Sequence, residues 1–295
     1  LMNILASVAS FKITTTSGGR NDMAEFNGIK INDVTKLSDN QRRIEFDKLI
    51  NSICLLQDED YDCTKINVWS YRKGGDCRDG VSLKFGNMCN GFPFTLGGLN
   101  FANSECAYIA GVYASNDPDS IRIQRMISEE NNGQICKRRY RLDSEYTRFS
   151  REDFYEYNVQ YMMLVVWKKA TLSKSFGDLL RNIPLDAHVV ENTTLHRGST
   201  AEFWGAKNKK LMAAREIIEI EIENSGRYRF KYQREQAKML ATNSINNIGH
   251  FIGKNVMGKI IKLCSLSLIY NAVPPIDFDL LRRKELFMVG KPLMA

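Results

Sequence analysis

Residues 85–113 read FGNMCNGFPFTLGGLNFANSECAYIAGVY. Inside this stretch, residues 93–96 and 99–102 flank Gly97-Gly98. A two-residue hairpin loop needs positive φ at both central positions, and glycine adopts it without a Cβ clash. The spacing predicts a tight β-hairpin. Ser104-Glu105 then opens an apolar helix running to about Tyr113. A short hairpin feeding straight into an apolar helix points to a helix-rich α+β fold with small β-hairpins.

Outward from that stretch the same pattern continues. Upstream, Ser38 with Gln41 makes a capping-box pattern. Ile44, Leu49, Ile50, Ile53 and Leu56 follow at helical spacing, before the acidic run 58–62. Residues 65–72 alternate as a strand. Downstream, Asp117-Pro118 starts a helix as cap and first-turn proline. Ser150 is read as the cap of a long helix, with Glu152 and Asp153 in its first turn to suit the dipole. That helix carries YMMLVVWKKA at 161–170, apolar almost all round and therefore central. Residues 187–191 (AHVVE) read as a short buried strand, and 254–268 as the last long helix, stopped by Pro274-Pro275. Residues 2–11 read as an N-terminal strand and 14–20 (TTTSGGR) as a loop, with a backbone phosphate nest as the alternative.

Between 216 and 232, Ile218, Ile220 and Ile222 alternate with glutamates, and Tyr228, Phe230 and Tyr232 alternate with Arg227, Arg229 and Lys231. Folded on Asn224-Ser225-Gly226, the two runs predict a second hairpin whose glutamates face its cations. RYRFKY taken alone looks like a nucleic-acid stripe, with rings to stack on bases and cations for phosphates. The facing glutamate row argues against that. A helix continuing from Leu211 is the remaining alternative.

Composition narrows the function classes. The chain has 295 residues, 43% of them hydrophobic, enough for one large core or two modest ones. Its 7 cysteines are odd in number and widely spaced, without a CxxC, which suits a reduced cytoplasmic protein. The 3 histidines lack the i,i+4 spacing of a zinc helix, so no metal site or Ser-His-Asp centre is expected. The apolar stretch 260–273 is too short and too interrupted to cross a bilayer, so no membrane partner is expected. The net charge of +7 permits a polyanionic partner, with basic clusters at 137–141 and 207–210.

Four places carry candidate chemistry. Asn87 can hydrogen-bond a ligand while Gly86 and Gly91 allow close backbone approach; a plain turn reads the same. Glu105, in the first turn of an apolar helix, suits acid–base work if partly buried, or stabilises the helix dipole. Lys168 and Lys169 end the most apolar helix; a desolvated amine there is a nucleophile, a snorkelling one is not. Trp204 can stack on a base or sugar, or pack in the core.

Taken in order, these motifs resemble the NADAR (YbiA-like) family. FGNMCNGFPFTLGGLNFANSE (85–105) is similar to the family's Asn turn, Pro, Gly hairpin and helix-opening "SE". VVENT (189–193), FWGAK (203–207) and GKNVMGKII (253–261) are similar to its later signatures. The family's helical lysine aligns with Lys168. The resemblance implies a single core domain over 64–270, with an insertion at about 208–252, an N-terminal extension 1–63 and a tail 271–295. It implies an N-glycoside hydrolase that needs no cofactor and releases ADP-ribose from ADP-ribosylated guanine nucleotide or nucleic acid. The alternatives are a non-catalytic NAD or ADP-ribose binder, and an N-glycosidase acting on phosphorylated riboflavin-pathway intermediates. The catalytic residues so implied are Glu105 for the proton or the cation, and Lys168 as the amine that attacks the opened ribose. Substrate binding would fall to Arg72, Asn87, Met88, Gly91, Glu191, Trp204, Gly205 and Asn255, with phosphates held by Arg72 and by amides near Gly253. In this chain Ala201 stands where the family carries an acid, with Glu202 beside it.

Overall fold

The computed structural model describes residues 24–72, 76–78, 81–196, 198–243 and 249–294. The stretches 2–11 and 14–20 read above lie outside them. Helix predominates and the strands pair two by two, giving a helix-rich α+β protein.

β1 (Glu25–Phe26) and β2 (Ile29–Lys30) form a short hairpin before α1 (Asp39–Asn51), which opens on the expected capping box of Ser38 and Gln41. β3 (Glu59–Asp62) and β4 (Val68–Tyr71) follow, then a hairpin of β5 (Asp76–Arg78) and β6 (Val81–Leu83). β7 (Phe94–Leu96) and β8 (Leu99–Phe101) pair across Gly97 and Gly98, whose φ values of 57° and 84° are those the turn demands. Next come α2 (Ser104–Ala110), α3 (Pro118–Glu129), α4 (Gly133–Leu142), α5 (Ser144–Thr147), α6 (Phe154–Leu172) and α7 (Lys174–Arg181). β9 (His188–Glu191) leads into α8 (Ser199–Trp204), α9 (Lys209–Asn224) and α10 (Lys231–Asn243). β10 (His250–Gly253), α11 (Val256–Ile269), α12 (Phe278–Arg283) and a last hairpin of β11 (Phe287–Met288) and β12 (Lys291–Pro292) complete the chain.

α6 is the axis of the core. Residues 161–166 are at most 1% exposed, so the apolar run is buried all round. Each such side chain contributes about 1.5–3 kcal/mol on leaving water. α2, α7, α11 and β7 pack around it. Tyr157 and Tyr161 donate their hydroxyls to the carbonyls of Gly111 and Ala107, both at 3.0 Å. A Cβ at Gly111 would lie 2.1 Å from the Tyr161 ring, so only glycine lets the chain leaving α2 come this close.

The frame behind the site is β9, paired in parallel with β4 and covered by α11. Residues 24–62 dock on the same frame. β3 pairs antiparallel with β10. The buried Lys259 of α11 meets Glu59 at 2.8 Å, and Tyr270 donates to Glu45 at 2.6 Å.

Two local expectations are corrected. The long helix begins at Phe154 with Asp153 at its cap position, not with Ser150. Ser150 belongs to the preceding turn, where its amide bonds Thr147, and Asp153 is held by Arg151 at 2.9 Å.

The second hairpin does not form; residues 209–224 and 231–243 are two helices packed on each other. Lys, Leu, Met, Ala, Arg and Glu dominate the first, all strong helix formers, and Asn208 caps it through the Leu211 amide at 2.8 Å. Leu211, Arg215, Ile218 and Ile222 lie at spacings of 4, 3 and 4, a helical stripe that turns its side inward. The alternation of Ile218 and Ile222 satisfies both periods, and the residues before it decide for helix. Glu223 therefore meets Arg234 at 3.4 Å and Lys238 of α10, not Arg227.

Candidate active site

A cavity of about 330 Å³ opens where α2, α4, α6, α8 and the end of β9 converge. That volume lies in the ordinary range for small-molecule sites. Asn87 and Met88 line the cavity, with Glu105 and Tyr108 from α2, Lys137 from α4, Met162 from α6, and Glu191, Thr193, His196, Thr200, Ala201 and Trp204.

The Asn87 turn and Glu105 are locked together. The Glu105 amide donates to the Asn87 carbonyl at 2.9 Å. Asn103 caps α2 through the Cys106 amide at 3.0 Å and also donates to Asn90, so the turn and the helix start move as one piece. The side-chain oxygen of Asn87 is buried and accepts no hydrogen bond. A buried acceptor left unpaired costs about 1–3 kcal/mol, and Asn87 is one of the residues that line the cavity.

Glu191 sits at the open end of β9. Its amide donates to Asn255 Oδ1 at 3.0 Å and its carbonyl accepts from Ala206 at 2.9 Å, so backbone and strand end are fixed. Burial pushes its carboxyl up to about 8, the Glu105 charge adds to this, and Lys137 opposes it. At neutral pH Glu191 therefore carries a proton. A carboxyl raised by burial beside a second carboxyl in the same cavity is an arrangement that acid–base chemistry can use.

Trp204 meets Tyr108 edge to face, with ring centroids 5.8 Å apart, making an aromatic corner beside the carboxyls. Gly205 does not line the cavity; a Cβ there would lie 2.4 Å from the Glu191 carbonyl, so glycine lets the chain cross the end of β9 and bring Trp204 in. Ala201 does line it, while Glu202 is exposed and paired with Lys207 at 2.9 Å. The second acid of this cavity is thus Glu191, not a residue of α8.

Several expected site residues fall elsewhere. Lys168 is exposed on α6, so the surroundings required for a nucleophilic amine are not there. Its neighbour Lys169 is the desolvated one, with no exposed surface. Its amine lies 4.2 Å from the Phe176 ring centroid and 5.3 Å from that of Phe92, with no hydrogen-bond acceptor. Burial brings Lys169 down to about 8, Cys89 acting the other way, yet it is not among the residues that line the cavity. One residue along a helix turns the side chain by about 100°, which is what separates the two lysines.

Asn255 is fully buried at φ 51°, with its oxygen on the Glu191 amide and its NH2 on the Val189 carbonyl at 2.8 Å. It holds β9 and does not reach the cavity. Of the amides near Gly253, that of Lys254 bonds the Glu202 carbonyl and that of Asn255 the Gly205 carbonyl, so these two hold α8 in place. Arg72 follows β4, half-buried, and Gly91 is exposed at φ 96°; neither lines the cavity. Asn87, Met88, Glu105, Glu191 and Trp204 are brought together as expected.

The sequence reading missed Tyr108, Met162, Thr193, His196 and Thr200 as wall residues. Tyr108 stands three residues after Glu105 on one helix face, a spacing that could have indicated it. Among the described residues no group of three or more His, Cys, Asp or Glu is placed to hold a metal ion, and no helix is long and apolar enough to cross a membrane. Comparison with models of known protein families and with curated protein sequences returned no match.

Proposed function

We propose that the chain is a cytoplasmic N-glycoside hydrolase that releases ADP-ribose from ADP-ribosylated guanine. The observation that carries this is the Glu105–Glu191 pair in one cavity, with Glu191 protonated at neutral pH by burial and by the Glu105 charge. Breaking a ribosyl–nitrogen bond leaves positive charge on C1 and an electron pair on the departing base. In this reading Glu191 gives its proton to that nitrogen as the bond breaks, and Glu105 faces the cation. Water adds to C1 and passes its proton to Glu105. Trp204 and Tyr108 stack the base or sugar, Asn87 accepts from a ribose hydroxyl, and Lys137 attracts the pyrophosphate. The resemblance in motif order to the NADAR family supports the same substrate class. The amine route that it implies is not adopted, because Lys168 is in solvent. Reduction with borohydride during turnover is expected to leave Lys168 unlabelled; an adduct on Lys169 would replace the water route by an amine route.

The test is release of free ADP-ribose from an oligonucleotide carrying ADP-ribosylated guanine. Native chain releases it, and Glu105→Gln and Glu191→Gln each abolish most of the activity. Full activity in the double variant rejects the reading. Ala201, where the resembling family has an acid, favours one second reading, a binder without turnover. Calorimetry would then give ADP-ribose binding with no release from any N-glycoside.

A further inference from the structure

We infer that residues 227–232 form a separate binding surface for single-stranded nucleic acid, outside the cavity. Arg227, Arg229 and Lys231 are all exposed. The glutamates that a hairpin would have set opposite them lie in α9, and Glu223 is occupied by Arg234 and Lys238. Among the described residues no acidic side chain forms an ion pair with any of the three cations. Two large exposed rings alternate with them, Phe230 at 53% and Tyr232 at 66%. These rings are nearly parallel, 16° apart in plane with centroids 5.9 Å apart, and Arg229 lies 5.9 Å from the Phe230 centroid.

The loop is held in this shape. Arg234 donates to the Tyr228 carbonyl at 3.0 Å, the Phe230 amide donates to the Gln233 side chain, and the Arg234 amide bonds the Phe230 carbonyl. Holding it so gains the fold little. Three like charges repel, two exposed rings stay in water, and Lys231 sits in the first turn of α10, where no acidic residue offsets it. A ligand that repeats phosphate and base supplies what each group lacks: phosphates for the cations and flat faces for the rings. A duplex hides those faces, and an anionic membrane or an acidic peptide offers charge without a flat face beside each phosphate.

This surface stands independently of the cavity reading, because its test measures binding of a plain strand and not turnover. The test is fluorescence anisotropy of labelled oligothymidylate titrated with the full chain at several salt concentrations. Arg227→Gln/Arg229→Gln/Lys231→Gln is expected to weaken binding about tenfold or more at low salt. It should also flatten the log–log salt slope by about two, at about 0.7 per phosphate contact. Phe230→Ala/Tyr232→Ala is expected to weaken binding about tenfold with the slope unchanged. All these side chains are exposed, so circular dichroism of both variants should match the native chain. Native-like affinity in either variant overturns the inference. Vesicles of phosphatidylserine and phosphatidylcholine, or polyglutamate, binding as tightly as oligothymidylate also overturn it.

Discussion

The cavity and the 227–232 loop both gather charged and aromatic side chains, but in opposite surroundings. In the cavity Glu105, Glu191 and Lys137 share a space with Trp204 and Tyr108, and burial raises the Glu191 carboxyl to about 8. On the loop Arg227, Arg229 and Lys231 are all exposed to water. In low dielectric a single group can be made into an acid; in water, charges are individually weak and act by number. In the proposed reading the first region breaks a bond and the second holds a strand.

The largest expected effect is on the cavity. Glu191→Gln should lower ADP-ribose release at pH 7 by about a hundredfold or more, measured as an initial rate. Native activity should fall as pH rises through about 8, where Glu191 loses its proton. The comparison would break if the same variant also weakened oligothymidylate binding, since the two regions would then be one site. The next effect is the roughly tenfold loss of strand affinity in the loop variants described above, with release from a free ADP-ribosylated guanine nucleotide unchanged.

Smaller effects concern stability. Glu191 binds its proton more tightly folded than unfolded, so its contribution is fully present below about 4.5 and is lost as pH rises to about 8. Urea melts should show the native chain losing about 1–2 kcal/mol over that window relative to Glu191→Gln. Lys169 has the opposite sign: burial disfavours its ammonium form, so stability rises as pH climbs from about 8 towards 10.5. Lys169→Met, close in volume, should remove that rise and stabilise the fold by about 1 kcal/mol at pH 7. A destabilised Lys169→Met would mean that the contact with the Phe92 and Phe176 rings outweighs the cost of burial.

Legibility followed the range of the interactions. Ser38 with Gln41, Gly97-Gly98 and Asp117-Pro118 are each decided by bonds within a few residues, and the elements formed where the residues pointed. The run 216–223 failed because isoleucines two apart satisfy strand and helix alike when they are also four apart. Its outcome rested on Asn208 and Leu211, outside the alternating window. At the site, Asn87, Glu105 and Trp204 were readable because residue type and turn context go together. Lys168 against Lys169 was not, since the rotation of α6 about its axis is set by neighbours such as Tyr108, Phe92 and Phe176.

By itself the sequence determined where chains turn and where helices begin, because caps and glycine turns are local and strongly directional. It also determined that α6 would be central, because a helix apolar all round has nowhere else to go. Only the tertiary structure decided that burial raises the Glu191 carboxyl, that Asn255 supports a strand and does not touch the cavity, and that three cations of the 227–232 loop form no ion pair among the described residues. Each of these depends on residues far apart in the chain meeting in space. Burial and pairing, which set the energy of a charge, are properties of that meeting and not of the residue.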